Sequence, residues 1–382
     1  MRIDKVEAFV VEQQLQRPFY FSQWRYASRM ICLVRVTAED GRYGWGEAYG
    51  PAPVAAAGVR FLAPWVVGQN ALGEGAIWQT LHRRTLDYAR SGVLKASISA
   101  IDVALHDLKG KLLNAPVAEL LGGRRRNRVR VYATGMYFTD DPPGEPPLAQ
   151  RLADEAATYV RDGFTAVKMK VGHTPASDYQ HVAAVREAIG PDIELMIDAN
   201  HAYDLKEAAA LCDALAPLNI AWFEEPLSPE DDAGYRTLRR HTNIPIAAGE
   251  CEYGVAGFRR LFEADAVDIA QPDLCAAGGL SEATRIAALA RAFNVNLTPH
   301  CWGTGIAFAA ALHFCATLDP MPGRMFEHQW PLEMDRSENP LRDQLVQPTF
   351  EAVDGYVATP QTPGLGVDVN LEVLHAFTRV EP

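Results

Sequence analysis

The sequence lacks several features that mark membrane, secreted and nucleic-acid-binding proteins. No apolar run approaches the length that crosses a bilayer. The opening residues, MRIDKVEAFVV, contain charges within the first five positions and no signal-peptide core. The net charge of −12 leaves no basic stripe for nucleic acid, since the one basic cluster, residues 122–130, is short. We therefore expect no membrane partner, no nucleic-acid partner and a cytoplasmic location.

Cysteine is also scarce, and it shows no metal-binding pattern. The six cysteines form no CxxC pair, so we expect reduced thiols. No GxGxxG segment follows an apolar run, and a dinucleotide cofactor is therefore not expected. The whole chain has 382 residues and 48% hydrophobic content, enough for two or three globular domains with ample cores.

The pattern of the chain changes near residue 126. Before it, alternating runs and an Ala-rich helical segment, Leu94 to Leu113, predict an α+β capping domain over residues 1–125. Residues 126–338 alternate short apolar runs with amphipathic segments, which is typical of a (β/α)₈ barrel. Residues 339–382 are rich in loops and are expected to pack back on the cap. The predicted fold is thus α/β, a modified TIM-type (β/α)₈ barrel with an N-terminal α+β capping domain completed by the C-terminal tail.

Polar side chains end most of the predicted barrel strands, where a buried strand would not normally carry charge. Successive members lie 23 to 28 residues apart, which is about one βα unit. The carboxyl ends of barrel strands meet at one mouth, so we expect these side chains to converge there. One such acid alone would more often cap a helix or face solvent, but a whole series in phase indicates a shared site. The series is Lys170, Asp198, Glu224, Glu250, Asp273, His300 and Glu327.

Three members of this series are consecutive acids. Asp198, Glu224 and Glu250 would repel one another at a common mouth unless a cation lay between them. A hard divalent ion such as Mg²⁺ suits an all-oxygen set of ligands. Glu225 follows Glu224 directly and should point the other way by strand alternation. We predict a structural role for it outside the ligand set, in which it pairs with a neighbouring cation.

Candidate proton-transfer groups lie on both sides of the acids. Lys168 and Lys170 are two residues apart, so both should face the mouth. We expect each ammonium group to depress the pKa of the other and so make one of them a usable base. Asp273 and His300 lie one unit apart, and a carboxylate bound to one imidazole nitrogen leaves the other free to move a proton. Taken alone, His300 would equally suit a structural role.

As a set, these residues resemble the active site of the enolase superfamily, mandelate racemase subgroup. The likeness covers nearly the whole chain, including GWGE at residues 44–47. Members of that superfamily use a Lys or His base with Mg²⁺ to stabilise an enediolate. The resemblance implies that Asp198, Glu224 and Glu250 are the Mg²⁺ ligands of this chain.

The same resemblance implies roles for the remaining polar residues. Lys170 would be the base on one face of the substrate carbon, and His300 with Asp273 the base on the opposite face. Lys168 would help to bind the substrate carboxylate and tune its neighbour. Glu327 would hydrogen-bond the developing enediolate.

Three further residues are candidates for substrate contact. Asn200, two residues after Asp198, fits the family pattern. Arg25 lies in an aromatic and basic segment, RPFYFSQWRY, which resembles a loop that closes over the mouth, and it is a candidate for binding a distal carboxylate. Trp302 follows His300 and is the third candidate.

The segments MIDANHAY, QPDLCAAGG and PGLGVDVN are most similar to acid-sugar dehydratases and galactaro-lactone cycloisomerases. The expected reaction removes the proton α to the carboxylate of an acid sugar or its lactone, and a β substituent then leaves. Racemisation or epimerisation of a 2-hydroxy acid is an alternative for the same site. A phosphate-binding barrel aldolase or isomerase, with an anion nest at Gly303 to Gly305, and a non-catalytic binding barrel are rivals from other classes. We expect a small-molecule carboxylate substrate and a homo-oligomer.

Overall fold

The N-terminal part of the chain is an antiparallel sheet covered by helices. Its elements are β1 (Ile3–Phe21), β2 (Trp24–Ala38), β3 (Tyr43–Ala48), α1 (Ala52–Leu62), α2 (Glu74–Arg84), α3 (Val93–Leu113) and α4 (Val117–Leu120). The computed structural model describes residues 1–140, 144–320, 323, 325 and 328–379. Helix α3 lies directly on β3, since Cβ atoms added at Gly44 and Gly46 would come within 2.2 Å and 2.0 Å of its backbone oxygens. Only glycine permits this approach.

The central part of the chain alternates strands and helices. Its elements are β4 (Arg128–Thr134), α5 (Leu148–Arg161), β5 (Ala166–Lys170), α6 (Pro175–Ile189), β6 (Glu194–Asp198), α7 (Leu205–Leu215), β7 (Ile220–Glu224), α8 (Asp232–His241), β8 (Ile246–Ala248), α9 (Gly254–Glu263), β9 (Ile269–Ala270), α10 (Gly279–Ala292), β10 (Asn296–Leu297), α11 (Gly305–Thr317) and β11 (Leu332–Asp335). No helix in the described part of the chain is long and apolar enough to cross a bilayer.

The barrel strands pair in parallel, in the order β10-β9-β8-β7-β6-β5-β4-β11. The hydroxyl of Thr298 donates to the carbonyl of Pro331 over 2.9 Å, so the two edges of this curled sheet lie side by side. The architecture is therefore the capped TIM-type barrel that the sequence predicts. Its interior is filled by one buried cluster of large and small side chains: Tyr132, Ala166, Met196, Trp222, Ala247 and Ile269.

The acids at the mouth lie on the same strand faces as this interior cluster. Asp198 comes two residues after Met196, and Glu224 comes two residues after Trp222. Strand side chains alternate with a period of two, so each acid lies on the interior side, above an apolar residue. The in-phase spacing in the sequence therefore corresponds to one layer at the carboxyl end of the sheet.

The last barrel strand lies later in the chain than the sequence analysis expected. The run RMFEHQW, residues 324–330, predicts a strand, but residues 328–330 are not in one, and β11 begins at Leu332. The prediction was wrong because β11 has only two apolar residues, Leu332 and Met334, and is a weaker signal than the run before it. Glu327, predicted as a site residue, lies outside the described residues.

The C-terminal segment contacts both the cap and the barrel. Its elements are α12 (Pro340–Leu345), β12 (Val346–Gln347), β13 (Tyr356–Ala358), β14 (Asp368–Val369) and α13 (Leu371–Phe377). Strand β13 pairs with β4 of the barrel. The indole N–H of Trp45 in the cap donates to Asp368 over 2.9 Å, and the backbone N–H of Leu365 donates to Asp107 over 2.8 Å.

Candidate active site

Lysines and carboxylates lie in direct cross-strand register at the mouth of the barrel. Lys170 is the register partner of Asp198, and Asp198 is that of Glu224. Lys170 Nζ donates to Asp198 Oδ2 over 2.6 Å, and Lys168 Nζ donates to Glu224 Oε1 over 2.5 Å. All four side chains are buried, so each charge is balanced by a neighbour and not by solvent.

Lys168 holds its proton more tightly than the sequence analysis expected. Burial lowers the pKa of Lys168, but Glu224 and Glu333 outweigh burial and raise that pKa well above its usual value. The expectation that the two lysines depress each other's pKa is therefore wrong for Lys168. The groups nearest to its ammonium are carboxylates, Glu224 Oε1 at 2.5 Å and Glu333 Oε1 at 3.0 Å.

Asn200 fixes the position of Lys170. Its backbone has φ of 41°, and its N–H donates to Asp198 Oδ1 over 3.0 Å. The amide Oδ1 of Asn200 then accepts a hydrogen bond from Lys170 Nζ over 2.7 Å. The ring of Phe21, from the cap hairpin, lies 4.5 Å from the same ammonium group. Residues of both the barrel and the cap therefore orient Lys170.

His300 and Asp273 form the pair that the sequence predicts. His300 Nδ1 lies 2.7 Å from Asp273 Oδ2, and His300 Nε2 lies 3.3 Å from Glu250 Oε2. Burial lowers the pKa of His300, but Glu250 and Asp273 outweigh burial and raise that pKa to about 10. Asp273 is held in turn by the backbone N–H of Cys275 over 2.6 Å. The imidazole is thus oriented and charged, which suits a proton donor.

The three predicted ligands fit a hard divalent cation by their chemistry. Asp198, Glu224 and Glu250 are at most 8% exposed, and each offers carboxylate oxygen alone. Burial, together with the charges of neighbouring carboxylates, raises the pKa of Glu224 to about 7. A divalent ion among these oxygens would relieve that repulsion. An all-oxygen set suits Mg²⁺ better than a thiophilic metal.

Glu333 was missed by the sequence analysis. Its Oε1 lies 3.0 Å from Lys168 Nζ, and its Oε2 lies 3.7 Å from His300 Nε2. The backbone N–H of Cys301 donates to Oε2 over 3.1 Å and holds the side chain. Glu333 therefore bridges the lysine side and the histidine side of the mouth. The available signal was the alternation in LEMD, which places Glu333 and Asp335 on one face.

Glu225 is buried and contacts Asn200, the residue that positions Lys170. Its φ of 42° ends the strand, so strand alternation does not set its direction. Its Oε2 lies 3.1 Å from His201 Nε2 and 3.5 Å from Asn200 Nδ2. Cys251 Sγ lies 3.6 Å from the same nitrogen of His201. The pairing with His201 is ionic only when His201 is protonated, and the structural role of Glu225 stays a prediction.

The candidate substrate contacts differ in their surroundings. The side chain of Arg25 is 57% exposed and pairs with Asp140 over 3.3 Å. Trp302 packs among aromatic side chains, and its indole N–H donates to the hydroxyl of Tyr137 over 2.8 Å. The guanidinium of Arg29, only 4% exposed, stacks 3.9 Å from the Trp302 ring. The same guanidinium pairs with the buried Asp335 over 2.8 Å, and nothing in the sequence separates Arg29 from the nearby Arg25.

A capped barrel with buried acids between a lysine pair and a histidine–aspartate pair defines a class of TIM-barrel proteins built for proton transfer. Two family models match the chain. The mandelate racemase / muconate lactonizing enzyme N-terminal domain matches residues 5–122, and the enolase C-terminal domain-like model matches residues 151–373. The chain therefore belongs to the enolase superfamily, in its mandelate racemase subgroup.

Individual relatives narrow the class of reaction. The chain is 41% identical to a D-galactarolactone cycloisomerase of Agrobacterium fabrum over 100% of both chains. It is 32% identical to an arabinonate dehydratase of Saccharolobus solfataricus over 91% of this chain and 90% of that protein. Such relatives are isomerases and lyases, and this protein is an enzyme of one of these two classes.

Two solved structures extend the comparison. The 3,6-anhydro-D-galactonate cycloisomerase of Zobellia galactanivorans superposes with a TM-score of 0.90 at 48% identity, over 100% of both chains. A racemase of Streptomyces coelicolor A3(2), solved with bound magnesium, superposes with a TM-score of 0.87 at 29% identity, over 99% of this chain and 100% of that chain.

Proposed function

We propose that this protein is a Mg²⁺-dependent cycloisomerase that opens the ring of a cyclic acid sugar. The proton α to a carboxylate is removed, and the ring oxygen on the β carbon leaves. The observation that carries this proposal is the placement of Lys170 on one side of the buried acids and of His300 with Asp273 on the other. Similarity over the full length to two cycloisomerases supports a ring oxygen as the leaving group.

Asp198, Glu224 and Glu250 would hold the Mg²⁺, which when bound stabilises negative charge on the substrate carboxylate and makes the α proton more acidic. Lys168, whose pKa is raised, supplies a fixed positive charge for that carboxylate. Glu333 holds the ammonium of Lys168 from the side. Glu333 lies on the last barrel strand, β11, whereas Glu327, to which the resemblance gave the acid role, lies outside the described residues.

Lys170 removes the α proton. Asn200 and the Phe21 ring fix the position of its Nζ for this task. The carbon–oxygen bond at the β carbon then breaks, and its electron pair goes to the ring oxygen. His300, charged and oriented by Asp273, gives that oxygen a proton. The resulting enol rearranges to a 2-keto acid. No water is gained or lost, so the product is an isomer of the substrate.

The site is compatible with one of the two alternative functions and not with the other. A racemase or epimerase would use the same bases on a substrate without a leaving group, and it stays an alternative. The phosphate-binding rival needs a free anion nest at Gly303 to Gly305. There the carboxylate of Glu47 already accepts hydrogen bonds from the backbone N–H and the hydroxyl of Thr304, over 2.9 Å and 2.5 Å. Nothing in the geometry favours that rival.

The proposal is tested by proton NMR in D₂O with Mg²⁺ and a panel of aldarolactones, anhydro-aldonates and open-chain acid sugars. We expect a cyclic substrate to lose its α-proton signal and give a 2-keto-3-deoxy acid. Glu224→Gln should lower the rate by about 10²-fold or more, because the ligand set loses a charge. Conversion of open-chain acids alone would identify a dehydratase, and exchange of the α proton without ring opening would identify a racemase. Either result would contradict the cycloisomerase proposal.

Three broader expectations accompany this function. The substrate is a small carboxylate, since buried positive charge and the acid cluster meet at the mouth. A cytoplasmic location agrees with six free cysteines. A homo-oligomer is proposed on the resemblance to the family, and sedimentation of the purified protein measures it directly.

A further inference from the structure

A second group of ligand atoms lies around the start of α6, separate from the acids assigned to Mg²⁺. His173, Asp178 and His181 each offer one ligand atom, and these atoms lie within 4.8 Å of one another. We propose that the three residues bind a divalent transition metal ion such as Zn²⁺ or Co²⁺. The ion would fasten the loop that follows Lys170 to helix α6.

Asp178 is oriented as a ligand by bonds to only one of its oxygens. Its Oδ2 accepts hydrogen bonds from the backbone N–H groups of Gly172 and His173, over 3.2 Å and 2.9 Å. The hydroxyl of Tyr203 donates to the same oxygen over 2.6 Å. Asp178 is fully buried, yet its Oδ1 has no hydrogen-bond partner within the described part of the chain. Burying such an oxygen costs folding free energy unless it binds a proton or a cation.

His181 contributes a second buried polar atom without a hydrogen-bond partner among the residues described, its Nδ1. It lies 3.8 Å from Asp178 Oδ1, which is too far for a hydrogen bond. Two ligands of one zinc ion, each about 2.0 to 2.2 Å from the metal, are separated by a similar distance. The two atoms are therefore close enough to bind one ion together.

His173 approaches from the outer side. It is exposed, and its ring stacks on that of Phe138 with centroids 3.9 Å apart. Phe138 is joined to Tyr20 of the cap hairpin by backbone hydrogen bonds of 2.8 Å and 3.0 Å. Two imidazole nitrogens and one carboxylate oxygen suit Zn²⁺ or Co²⁺, with a fourth position open to water. The Tyr203 hydroxyl supplies the outer hydrogen bond that such ligands usually have.

A competing cluster must be distinguished in any test. His201, Glu225 and Cys251 also place ligand atoms within 4.8 Å of one another. Co²⁺ separates the two clusters, since a bound thiolate produces a charge-transfer band in the near ultraviolet, whereas nitrogen and oxygen ligands do not.

The experiment is a titration of the purified enzyme with Co²⁺ in excess Mg²⁺, followed by absorbance, with Zn²⁺-dependent thermal unfolding as a second readout. We expect one Co²⁺ to bind without a thiolate band, and Zn²⁺ to raise Tm. His181→Gln and His173→Gln should each weaken binding about tenfold or more and abolish the rise in Tm. His173 is exposed, so its variant tests binding without disturbing the core.

His241→Gln is the matched control, because His241 is an exposed histidine in neither cluster, paired with Asp213. It should bind Co²⁺ like the wild type. Equal affinity in the wild type and both cluster variants would overturn the proposal. So would a thiolate band that disappears in Cys251→Ser. Metal binding is measured without turnover, so the result is independent of the proposed cycloisomerase activity.

Discussion

Lys170 and His300 have neighbours that suit them to opposite tasks. Lys170 is held by an amide oxygen and a carboxylate, at 2.7 Å from Asn200 and 2.6 Å from Asp198. His300 is surrounded by carboxylates that raise its pKa to about 10 against the effect of burial. These carboxylates favour the protonated imidazole, which suits His300 to donate a proton. The two residues should fail in different ways when they are replaced.

We expect Lys170→Met to abolish both exchange of the α proton and product formation, because the base is lost. His300→Asn should retain exchange but lower product formation by about 10²- to 10⁴-fold, because the leaving oxygen receives no proton. Proton NMR in D₂O measures both events in one sample. Exchange that persists in Lys170→Met, or is lost in His300→Asn, would reverse these assignments.

At the scale of elements, the strands that carry charge were easier to predict than the contacts between distant elements. Lys170, Asp198 and Glu224 end strands whose apolar residues keep one register, so their convergence follows from the fold. Glu333 lies on a strand with little apolar signal, and sequence spacing pointed to an earlier segment. The contact of Glu47 with Thr304 joins residues 257 positions apart, and no local pattern encodes it.

Glu47 of β3 serves as an acceptor at the N-terminus of α11, the helix after His300. Its oxygens accept from the backbone N–H and the hydroxyl of Thr304, and from the N–H of Ala307 over 3.3 Å. We expect Glu47→Ala to lower the free energy of unfolding by about 3 kcal/mol, since it leaves buried donors unpaired. Urea denaturation measures the change. Glu39→Ala, at an exposed acid in the turn between β2 and β3, is the control and should cost below about 0.5 kcal/mol. Equal losses would contradict the helix-capping role.

At the scale of the whole molecule, His313 links three parts of the chain. It lies on α11 of the barrel, and its Nδ1 accepts from the backbone N–H of Ala118 over 3.2 Å. Its Nε2 donates to the carbonyl of Leu365 in the tail over 3.1 Å. Both nitrogens are thus committed to a neutral ring. Burial lowers the pKa of His313 to about 4.

This lowered pKa predicts a loss of stability in mild acid. Between pH 6.5 and pH 4 the unfolded chain binds a proton at His313 and the folded chain does not, so stability falls as pH falls. From pH 7 to pH 5 this residue should account for about 2 kcal/mol. Urea unfolding of the wild type and His313→Gln at both pH values isolates the effect. The same pH dependence in both proteins would show that His313 is not the source.

The contacts between cap and tail also determine when folding can be completed during synthesis. Trp45 donates to Asp368, 323 positions later, and buried Asp107 receives the backbone N–H of Leu365. A ribosome releases the cap residues first and these partners last. At about 5 to 20 residues per second, the interval is on the order of tens of seconds. During that time Asp107 keeps its contacts within the cap, with Lys111 and the backbone N–H of Trp45, but the hydrogen bonds between cap and tail cannot form until the final segment emerges.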